Sequence, residues 1–343
     1  MRVPRLLLIL PLIVGTTVCT PRVVRAQEPP HLASLGECRL DHGGNLPDCR
    51  IAYRTAGTLN QRRDNAVLFP TWLTGRSDQL IRYTGREGLV DSTKYYVIMV
   101  DALGNGASSS PSNTPAAPFP EITIGDMVES QYRLLTEHLG ISRLHAVVGV
   151  SMGANQAFEW AARYPAFADR FVPIAGTPRP AAYDRILFTS VLAEFDIGTR
   201  YGVPPDTMWL QVQRIWHLGR ATPSNINEID AAAIADALTL RAATTPWRRS
   251  FPDLAVQMRA TLAHDVYPRM TEAKAREVGP RMFLVYSPDD HVVTAGPAID
   301  FAQRFGAATL AIPSRCGHDI EECELPAFAP AVREFLARKV THE

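Results

Sequence analysis

The fold of this chain is decided by the stretch His145-Ala-Val-Val-Gly-Val-Ser151-Met-Gly-Ala-Asn-Gln-Ala-Phe-Glu-Trp-Ala-Ala-Arg163. Its first residues form an apolar run typical of a buried strand, and the residues from Ala154 onward have the pattern of a helix that Pro165 ends. Between the two lies Gly149-Val-Ser-Met-Gly153, where side chains at either glycine would clash because the turn is so sharp. This arrangement lifts the serine hydroxyl clear of the sheet. It favours a nucleophile at position 151 over a glycine-lined turn with an incidental serine.

A serine is a weak nucleophile until a neighbouring base takes its proton. Where a serine is presented at such a turn, an acid and then a histidine follow it in the chain. The histidines beyond the helical segment described below are His291, His318 and His342. His342 lies where the chain is expected to fray, and His291 directly follows a strand, where the acid belongs. His318, in the loop before the last helix, is therefore the predicted base, and His291 is expected to line the site or lie on the surface.

The acid that orients the imidazole is predicted directly after the strand Met282–Tyr286. Ser287-Pro-Asp-Asp290 follows that strand, and the Gly-x-x-Asp pattern common in hydrolases places Asp290 in the acid's position. Asp289 remains the alternative, because the ends of strands are uncertain by a few residues when read from sequence. Asp319 and Glu321 are too close to His318 in the chain to reach its far nitrogen, and both are expected to be solvated loop carboxylates.

Two backbone N–H groups are predicted to bind the oxyanion that forms when a carbonyl carbon is attacked. One is the N–H of Met152, directly after the serine. The other is expected in Phe69-Pro-Thr-Trp-Leu-Thr-Gly75, which follows the strand Ala66–Phe69, and there we choose Leu73. Trp72 is expected to pack in the pocket wall.

Apolar runs that suit buried strands alternate with helical patterns, which predicts a parallel sheet covered on both faces. A helix is predicted from about Asp126 to Leu139 and another near Ala327–Lys339. Residues 178–276 have helical patterns without a convincing strand, so we expect a helical cap between two parts of one core, residues 27–177 and 277–343. The predicted strands are Ala66–Phe69, Tyr95–Val100, Leu144–Gly149, Phe171–Ala175 and Met282–Tyr286.

The first residues have the features of a secretion signal. Arg2 and Arg5 give a basic start, an apolar run spans Leu6 to Val18, and Val24-Arg-Ala26 places small or compact residues before a cleavage point after Ala26. The apolar run is shorter than the roughly 20 residues that a membrane-spanning helix needs. A signal peptide in residues 1–26 is therefore favoured over an anchor, with a secreted or periplasmic protein and no stable membrane insertion as the expectation.

Removal of that signal leaves 317 residues with a net charge of −4, which gives no support for a nucleic-acid partner. Four cysteines remain, and they can pair in three ways. The local pairs Cys38–Cys49 and Cys316–Cys323 are preferred because each closes a short loop, and disulfides persist in the compartments of exported proteins. The spacings do not match those of structural zinc sites, so no metal is expected.

Three parts of the sequence resemble the homoserine O-acetyltransferase family: the run from Phe119 to Pro165 around the serine, Leu73-Thr-Gly75, and Gly317-His-Asp319. The resemblance implies an α/β-hydrolase fold, with a mostly parallel central sheet flanked by helices and a helical cap insertion. It also implies acyl-enzyme chemistry at Ser151 and a homodimer. The segment from Asp101 to Pro111 departs from the family and is closer to the pattern of general ester hydrolases.

The sequence therefore favours an exported serine hydrolase that cleaves a small ester with a short acyl group and needs no cofactor. The alternative is an O-acyltransferase that uses acetyl-CoA, since both activities share one acyl-enzyme and differ in the acceptor. A binding module that has lost catalysis is the third hypothesis. Water is present everywhere whereas acetyl-CoA is a cytosolic metabolite, so the predicted signal favours hydrolysis. Four large side chains of the cap are expected to pack its helices together rather than to line a pocket for the acyl group: Met208, Trp209, Trp216 and Trp247.

Overall fold

An eight-stranded sheet lies at the centre of this computed structural model, which describes residues 28–114, 118–228, 233–234, 236, 239 and 250–338. The predicted signal peptide in residues 1–26, Trp247 and His342 lie outside the described residues. In chain order the strands are β1 (His31–Ser34), β2 (Cys38–Arg39), β3 (Asn45–Leu46), β4 (Arg50–Ala56), β5 (Ala66–Pro70), β6 (Tyr96–Val100), β7 (Ala146–Val150), β8 (Phe171–Ile174), β9 (Phe283–Tyr286) and β10 (Ala308–Ala311).

The strand order in the central sheet is β1-β4-β6-β5-β7-β8-β9-β10. The six strands β6, β5, β7, β8, β9 and β10 pair in parallel. Strands β1 and β4 add an antiparallel edge. Every residue of β5, β7 and β8 is buried, as parallel strands covered on both faces require. The prediction of a mostly parallel sheet is confirmed.

Helices cover both faces of the sheet because successive residues of a strand point to opposite sides. In β5, Leu68 packs in the hydrophobic cluster that contains Trp160, whereas Val67 packs in a second cluster with Leu336. None of the described helices is both long enough and apolar enough to cross a membrane. The helices are α1 (Ser77–Leu80), α2 (Ile124–Arg133), α3 (Met152–Arg163), α4 (Ala182–Tyr201), α5 (Pro205–Arg220), α6 (Pro223–Ile226), α7 (Phe251–Leu262), α8 (Glu272–Val278), α9 (Gly296–Phe305), α10 (Ile320–Cys323) and α11 (Leu325–Ala337).

The described part of the chain between β8 and β9 is helical, as predicted, and contains α4 to α8. Trp209 of α5 stacks on Phe251 of α7 with ring centroids 4.8 Å apart, and Trp216 lies edge-on to Phe188 of α4. Met208 is buried beside them. These side chains therefore pack the helices against one another. The division into core and cap at residues 178 and 276 stays a prediction.

Some helix boundaries differ from the prediction. Helix α3 begins at Met152, directly after the serine, and α11 begins at Leu325. The helix predicted from Asp126 to Leu139 starts at Ile124 and passes into a π turn over Leu134–His138, after which Gly140 adopts a φ of 61°. A left-handed glycine at this position ends a helix.

Both preferred disulfides form. Cys38–Cys49 joins the two-stranded hairpin of β2 and β3 to the segment before β4. Cys316–Cys323 closes the loop that carries His318. Each bond therefore ties down a segment that has little regular secondary structure.

Candidate active site

Ser151 sits at a sharp turn between β7 and α3. Its φ of 55° and ψ of −123° are rare for a residue with a side chain, and its N–H donates to the carbonyl of Ile174 at 2.9 Å. A Cβ on Gly149 would lie 2.0 Å from the Gly153 carbonyl oxygen, and one on Gly153 would lie 2.6 Å from the Pro70 oxygen. Both glycines are thus required by the close approach of the backbone, and the turn leaves the serine partly exposed.

The structure brings Ser151, His318 and Asp290 together from three distant parts of the chain. His318 Nε2 lies 2.9 Å from Ser151 Oγ, and His318 Nδ1 lies 2.7 Å from Asp290 Oδ2. Both His318 and Asp290 are buried. One ring nitrogen faces the hydroxyl and the other faces the carboxylate, which is the arrangement that lets an imidazole accept a serine proton.

Asp290, and not its neighbour Asp289, contacts the histidine. Its second oxygen, Oδ1, accepts the N–H groups of Val292 at 2.8 Å and Val293 at 2.9 Å, so the carboxylate is held at both ends. Asp289 is half-buried and takes no part in the hydrogen bond to His318 Nδ1. His291 is also half-buried, and it lies edge-on to Tyr183 of the cap.

The charge of Asp290 changes the titration of His318. Burial by itself lowers the pKa of this imidazole, but the negative charge and the hydrogen bond of Asp290 outweigh it and raise the pKa above its ordinary value. Asp319 and Glu321 act in the same direction. The site therefore stabilises the imidazolium form, which is the form that a base reaches after it accepts a proton.

The expectation that Asp319 and Glu321 are solvated loop carboxylates is wrong for Glu321, whereas Asp319 stays partly exposed. Asp319 forms a two-point ion pair with Arg220 of the cap, with Nε–Oδ1 at 3.1 Å and Nη2–Oδ2 at 2.6 Å. Glu321 is buried, and burial together with the charge of Asp319 raises its pKa to about 7. Tertiary contacts therefore bury Glu321 and pair Asp319 with a cation of the cap.

The histidine loop is fixed to the end of α5. The N–H of His318 donates to the carbonyl of Arg220 at 3.1 Å. Gly317 has a φ of 58°, and a Cβ there would lie 2.7 Å from the same carbonyl oxygen. Together with the Arg220–Asp319 ion pair and the disulfide Cys316–Cys323, these contacts hold the imidazole in place.

The two predicted oxyanion donors lie on segments that pack against each other. Met152 is the first residue of α3, where backbone N–H groups have no partner within the helix. Leu73 lies in the loop after β5, and that loop contacts α3 where Gln156 Nε2 donates to the Thr71 carbonyl at 3.0 Å. Trp72 packs edge-on against Tyr83, and its place in the pocket wall stays a prediction.

Two residues that contact these loops escaped the sequence reasoning. Arg220 pairs with an acid 99 positions away, and Gln257 of α7 contacts the loop after β5 across 183 positions. Neither belongs to a local motif. The only signal in the sequence is their location in the segment predicted to cap the core.

Comparisons with known proteins show which family this chain is similar to. The family model for the alpha/beta hydrolase fold matches residues 87–321. The chain is 45% identical over 171 residues to an ethyl acetate hydrolase of Pseudomonas veronii, covering 48% of this chain and 49% of that protein. It is 37% identical over 194 residues to a homoserine O-acetyltransferase of Solidesulfovibrio magneticus, covering 48% and 49%. The aligned region thus spans about half the length of these curated relatives.

Similarity to solved structures extends over nearly the whole chain. The crystal structure of an acetylester hydrolase from Corynebacterium glutamicum superimposes with a TM-score of 0.81 at 27% sequence identity. The match covers 90% of this chain and 96% of that chain. The predicted resemblance and the predicted fold are both confirmed.

Proposed function

This chain belongs to the α/β-hydrolase family, and from that premise we propose that it is a serine hydrolase that cleaves carboxylic esters with a short acyl group. In this proposal Ser151 is the nucleophile, His318 the general base and acid, and Asp290 the residue that orients and stabilises the imidazole. The N–H groups of Leu73 and Met152 form the oxyanion hole. No cofactor takes part.

The observation that carries the proposal is the continuous contact from hydroxyl to imidazole to carboxylate. The Ser151 Oγ to His318 Nε2 distance of 2.9 Å and the His318 Nδ1 to Asp290 Oδ2 distance of 2.7 Å are those of hydrogen bonds. The partly exposed serine can receive a substrate carbonyl, whereas the other two groups are shielded from water. Shielding strengthens the interaction between the carboxylate and the imidazolium.

Acylation begins when His318 Nε2 accepts the proton of Ser151 as its oxygen attacks the ester carbonyl carbon. The carbonyl π electrons move to oxygen, and the N–H groups of Leu73 and Met152 stabilise the resulting negative charge. The tetrahedral intermediate then collapses. The bond to the leaving oxygen breaks, His318 donates its proton to that oxygen, and an alcohol departs from the acyl-serine.

Deacylation repeats these steps with water as the nucleophile. His318 accepts a proton from water while the hydroxide oxygen bonds to the acyl carbon, and the same oxyanion hole stabilises the second tetrahedral intermediate. When the bond to Ser151 breaks, the proton returns to the serine oxygen. The products are a carboxylic acid and the free enzyme.

The similar proteins support a short acyl group. The names of an ethyl acetate hydrolase and an acetylester hydrolase both refer to acetyl esters.

An O-acyltransferase that uses acetyl-CoA is the second candidate, and the likeness to homoserine O-acetyltransferases favours it. The two activities differ only in whether water or a bound alcohol attacks the acyl-enzyme. We rank hydrolysis first because residues 1–26 have the pattern of a secretion signal and two disulfides are present. Both features fit a secreted or periplasmic protein, which would rarely meet acetyl-CoA. A homodimer is also part of this proposal, and sedimentation of the purified protein tests it.

A comparison of two reactions tests the proposal. Purified protein is incubated with p-nitrophenyl acetate and, separately, with acetyl-CoA and homoserine. We expect rapid ester cleavage without acetyl-homoserine, and loss of cleavage in Ser151→Ala. The matched control Ser130→Ala, at a buried serine of α2 whose hydroxyl donates to the carbonyl of Met127 in the same helix, should keep full activity. Faster formation of acetyl-homoserine than ester cleavage would reverse the ranking. Failure of a fluorophosphonate to label Ser151 would instead favour the binding module.

A further inference from the structure

Gln257, on the cap helix α7, reaches across to the loop that carries the proposed oxyanion donor. Its Oε1 accepts the N–H of Thr74 at 2.6 Å, and its Nε2 donates to the carbonyl of Leu103 at 2.9 Å. The side chain is fully buried. The amide of Gln257 therefore joins the cap to the loop after β5 through its oxygen and to the loop after β6 through its nitrogen.

The residue that Gln257 binds has a backbone conformation that needs support. Thr74 has a φ of 57°, in the left-handed region that residues with a Cβ rarely adopt. Its Oγ1 donates to the carbonyl of Leu73 at 2.5 Å. The backbone N–H and the side chain of Thr74 together therefore fix the peptide group between Leu73 and Thr74. Such a conformation persists only where its surroundings determine it, and here the bond from Gln257 provides that determination.

The amide of Gln257 has little freedom to leave this position. Gly104, in the loop after β6, has a φ of 84°, and a Cβ there would lie 3.0 Å from the Gln257 Cγ and 2.8 Å from Val256. Helix α7 thus lies directly against that loop. A second anchor holds the first turn of the helix, because Asp253 accepts both the N–H and the hydroxyl of Ser112.

We infer that Gln257 is a positioning residue for catalysis: it holds Thr74 in its left-handed conformation and thereby directs the Leu73 N–H toward the oxyanion. This inference rests on the proposed function and assigns part of the catalytic geometry to the cap. An oxyanion hole works only if its donors are fixed before charge develops. A small displacement caused by a change distant from the reacting atoms can reduce turnover by about 10²-fold.

The test is Gln257→Met, which keeps the length and volume of the side chain but removes both hydrogen bonds. Activity toward p-nitrophenyl acetate is measured per active site, with sites counted by fluorophosphonate titration, so that partial unfolding does not count as lost turnover. We expect kcat to fall by about 10²-fold with little change in KM, because the oxyanion forms only after the substrate has bound. The affinity for an alkyl boronic acid, which forms a tetrahedral adduct on the serine, should fall in parallel.

Two control variants separate positioning from simple anchoring of the cap. Asp253→Ala breaks the other α7 anchor, and Thr261→Val removes a buried hydroxyl that donates to the carbonyl of Gln257 within the helix. Both should lower the melting temperature while kcat per active site stays within about threefold of wild type. An equal loss of kcat in Asp253→Ala, or an unchanged kcat in Gln257→Met, overturns the inference.

If Gln257→Met does not fold, Gln257→Asn replaces it. Asparagine retains the buried amide but is one methylene shorter, so it cannot reach both Thr74 and Leu103, and kcat should again fall with KM little changed. Full turnover in this variant overturns the inference. A wild-type protein that cleaves no ester and takes no fluorophosphonate would point to failure of the proposed function instead.

Discussion

Replacing Asp290 by asparagine removes one charge, and the structure determines which way the new amide faces. Oδ1 of Asp290 accepts two N–H groups, from Val292 at 2.8 Å and Val293 at 2.9 Å, while Oδ2 faces His318 Nδ1 at 2.7 Å. An amide NH₂ cannot accept hydrogen bonds from N–H donors. The asparagine oxygen will therefore stay on the side of the two valines, and its NH₂ will face the histidine.

That orientation places the histidine proton on the wrong nitrogen. His318 Nδ1 must then accept a hydrogen bond, so the proton of the neutral ring lies on Nε2, which faces Ser151 Oγ at 2.9 Å. A protonated Nε2 cannot act as the base. The same substitution in a serine protease lowers kcat by about 10⁴-fold. We expect about 10⁴-fold here, which corresponds to about 5.4 kcal/mol in the barrier.

The assay is the kcat of Asp290→Asn for p-nitrophenyl acetate between pH 5 and 10, with Asp289→Asn as the matched control. The control should stay within about twofold of wild type, because Asp289 does not contact the histidine. The residual activity of Asp290→Asn should reach its plateau at lower pH than wild type, since the carboxylate that raises the pKa of His318 is gone. A variant that keeps a tenth or more of wild-type kcat would refute the reasoning.

Three further expectations follow from the surroundings of His318. Wild-type kcat/KM should rise with pH through a midpoint above 6.5, because Asp290 raises the pKa of His318 and only the neutral imidazole accepts the serine proton. Arg220→Met should move that midpoint to higher pH, because it leaves Asp319 negative and unpaired beside the imidazolium. Serine substitutions at both cysteines of Cys316–Cys323 should lower kcat at least tenfold, whereas the same change at Cys38–Cys49 should cost about 3 kcal/mol of unfolding free energy with kcat unchanged.

Each of these expectations has a measurement that can contradict it. A kcat/KM that falls as pH rises from 6 to 9 would mean that the neutral imidazole is not the active form. Arg214→Met, at an exposed position on the same helix as Arg220, is the control for the pH shift and should leave the profile unchanged. For the two disulfides, the unfolding free energy from chemical denaturation and the kcat are both measured for each double variant. Equal kcat in the two double variants would show that the histidine loop needs no covalent support.

Features of this structure that depend on residues close together in the chain could be predicted from the sequence. The turn at Ser151 is encoded locally, because glycines on either side permit a backbone approach that no side chain allows. The ends of the five predicted strands lie within two residues of the observed ends, since their apolar runs are bounded by turn residues. Asp290 and His318 were predicted from their places in the chain, because an acid and then a histidine follow the serine in this kind of site.

Features that depend on distant contacts could not be predicted. Strands β1, β4 and β10 of the central sheet were not predicted. Strand β1 is short and three of its four residues are exposed, and no residue of β10 is buried. Glu321 was expected in water because nothing near it in the sequence indicates that the folded chain buries it. Gln257 lies in a helix that is buried along most of its length, and only the folded chain brings it to Thr74. Polar groups of this kind are selected by tertiary packing and leave no periodic pattern.

The central claim is that acyl transfer proceeds through Ser151, and a rapid acid quench tests it most directly. Wild-type protein is mixed with p-nitrophenyl acetate, quenched within the first turnovers, digested, and analysed by mass spectrometry. We predict one acetyl group on the peptide that contains Ser151, and none on the corresponding peptide of Ser151→Ala. An acetyl group on another residue, or steady ester cleavage by Ser151→Ala at the wild-type rate, would contradict the claim.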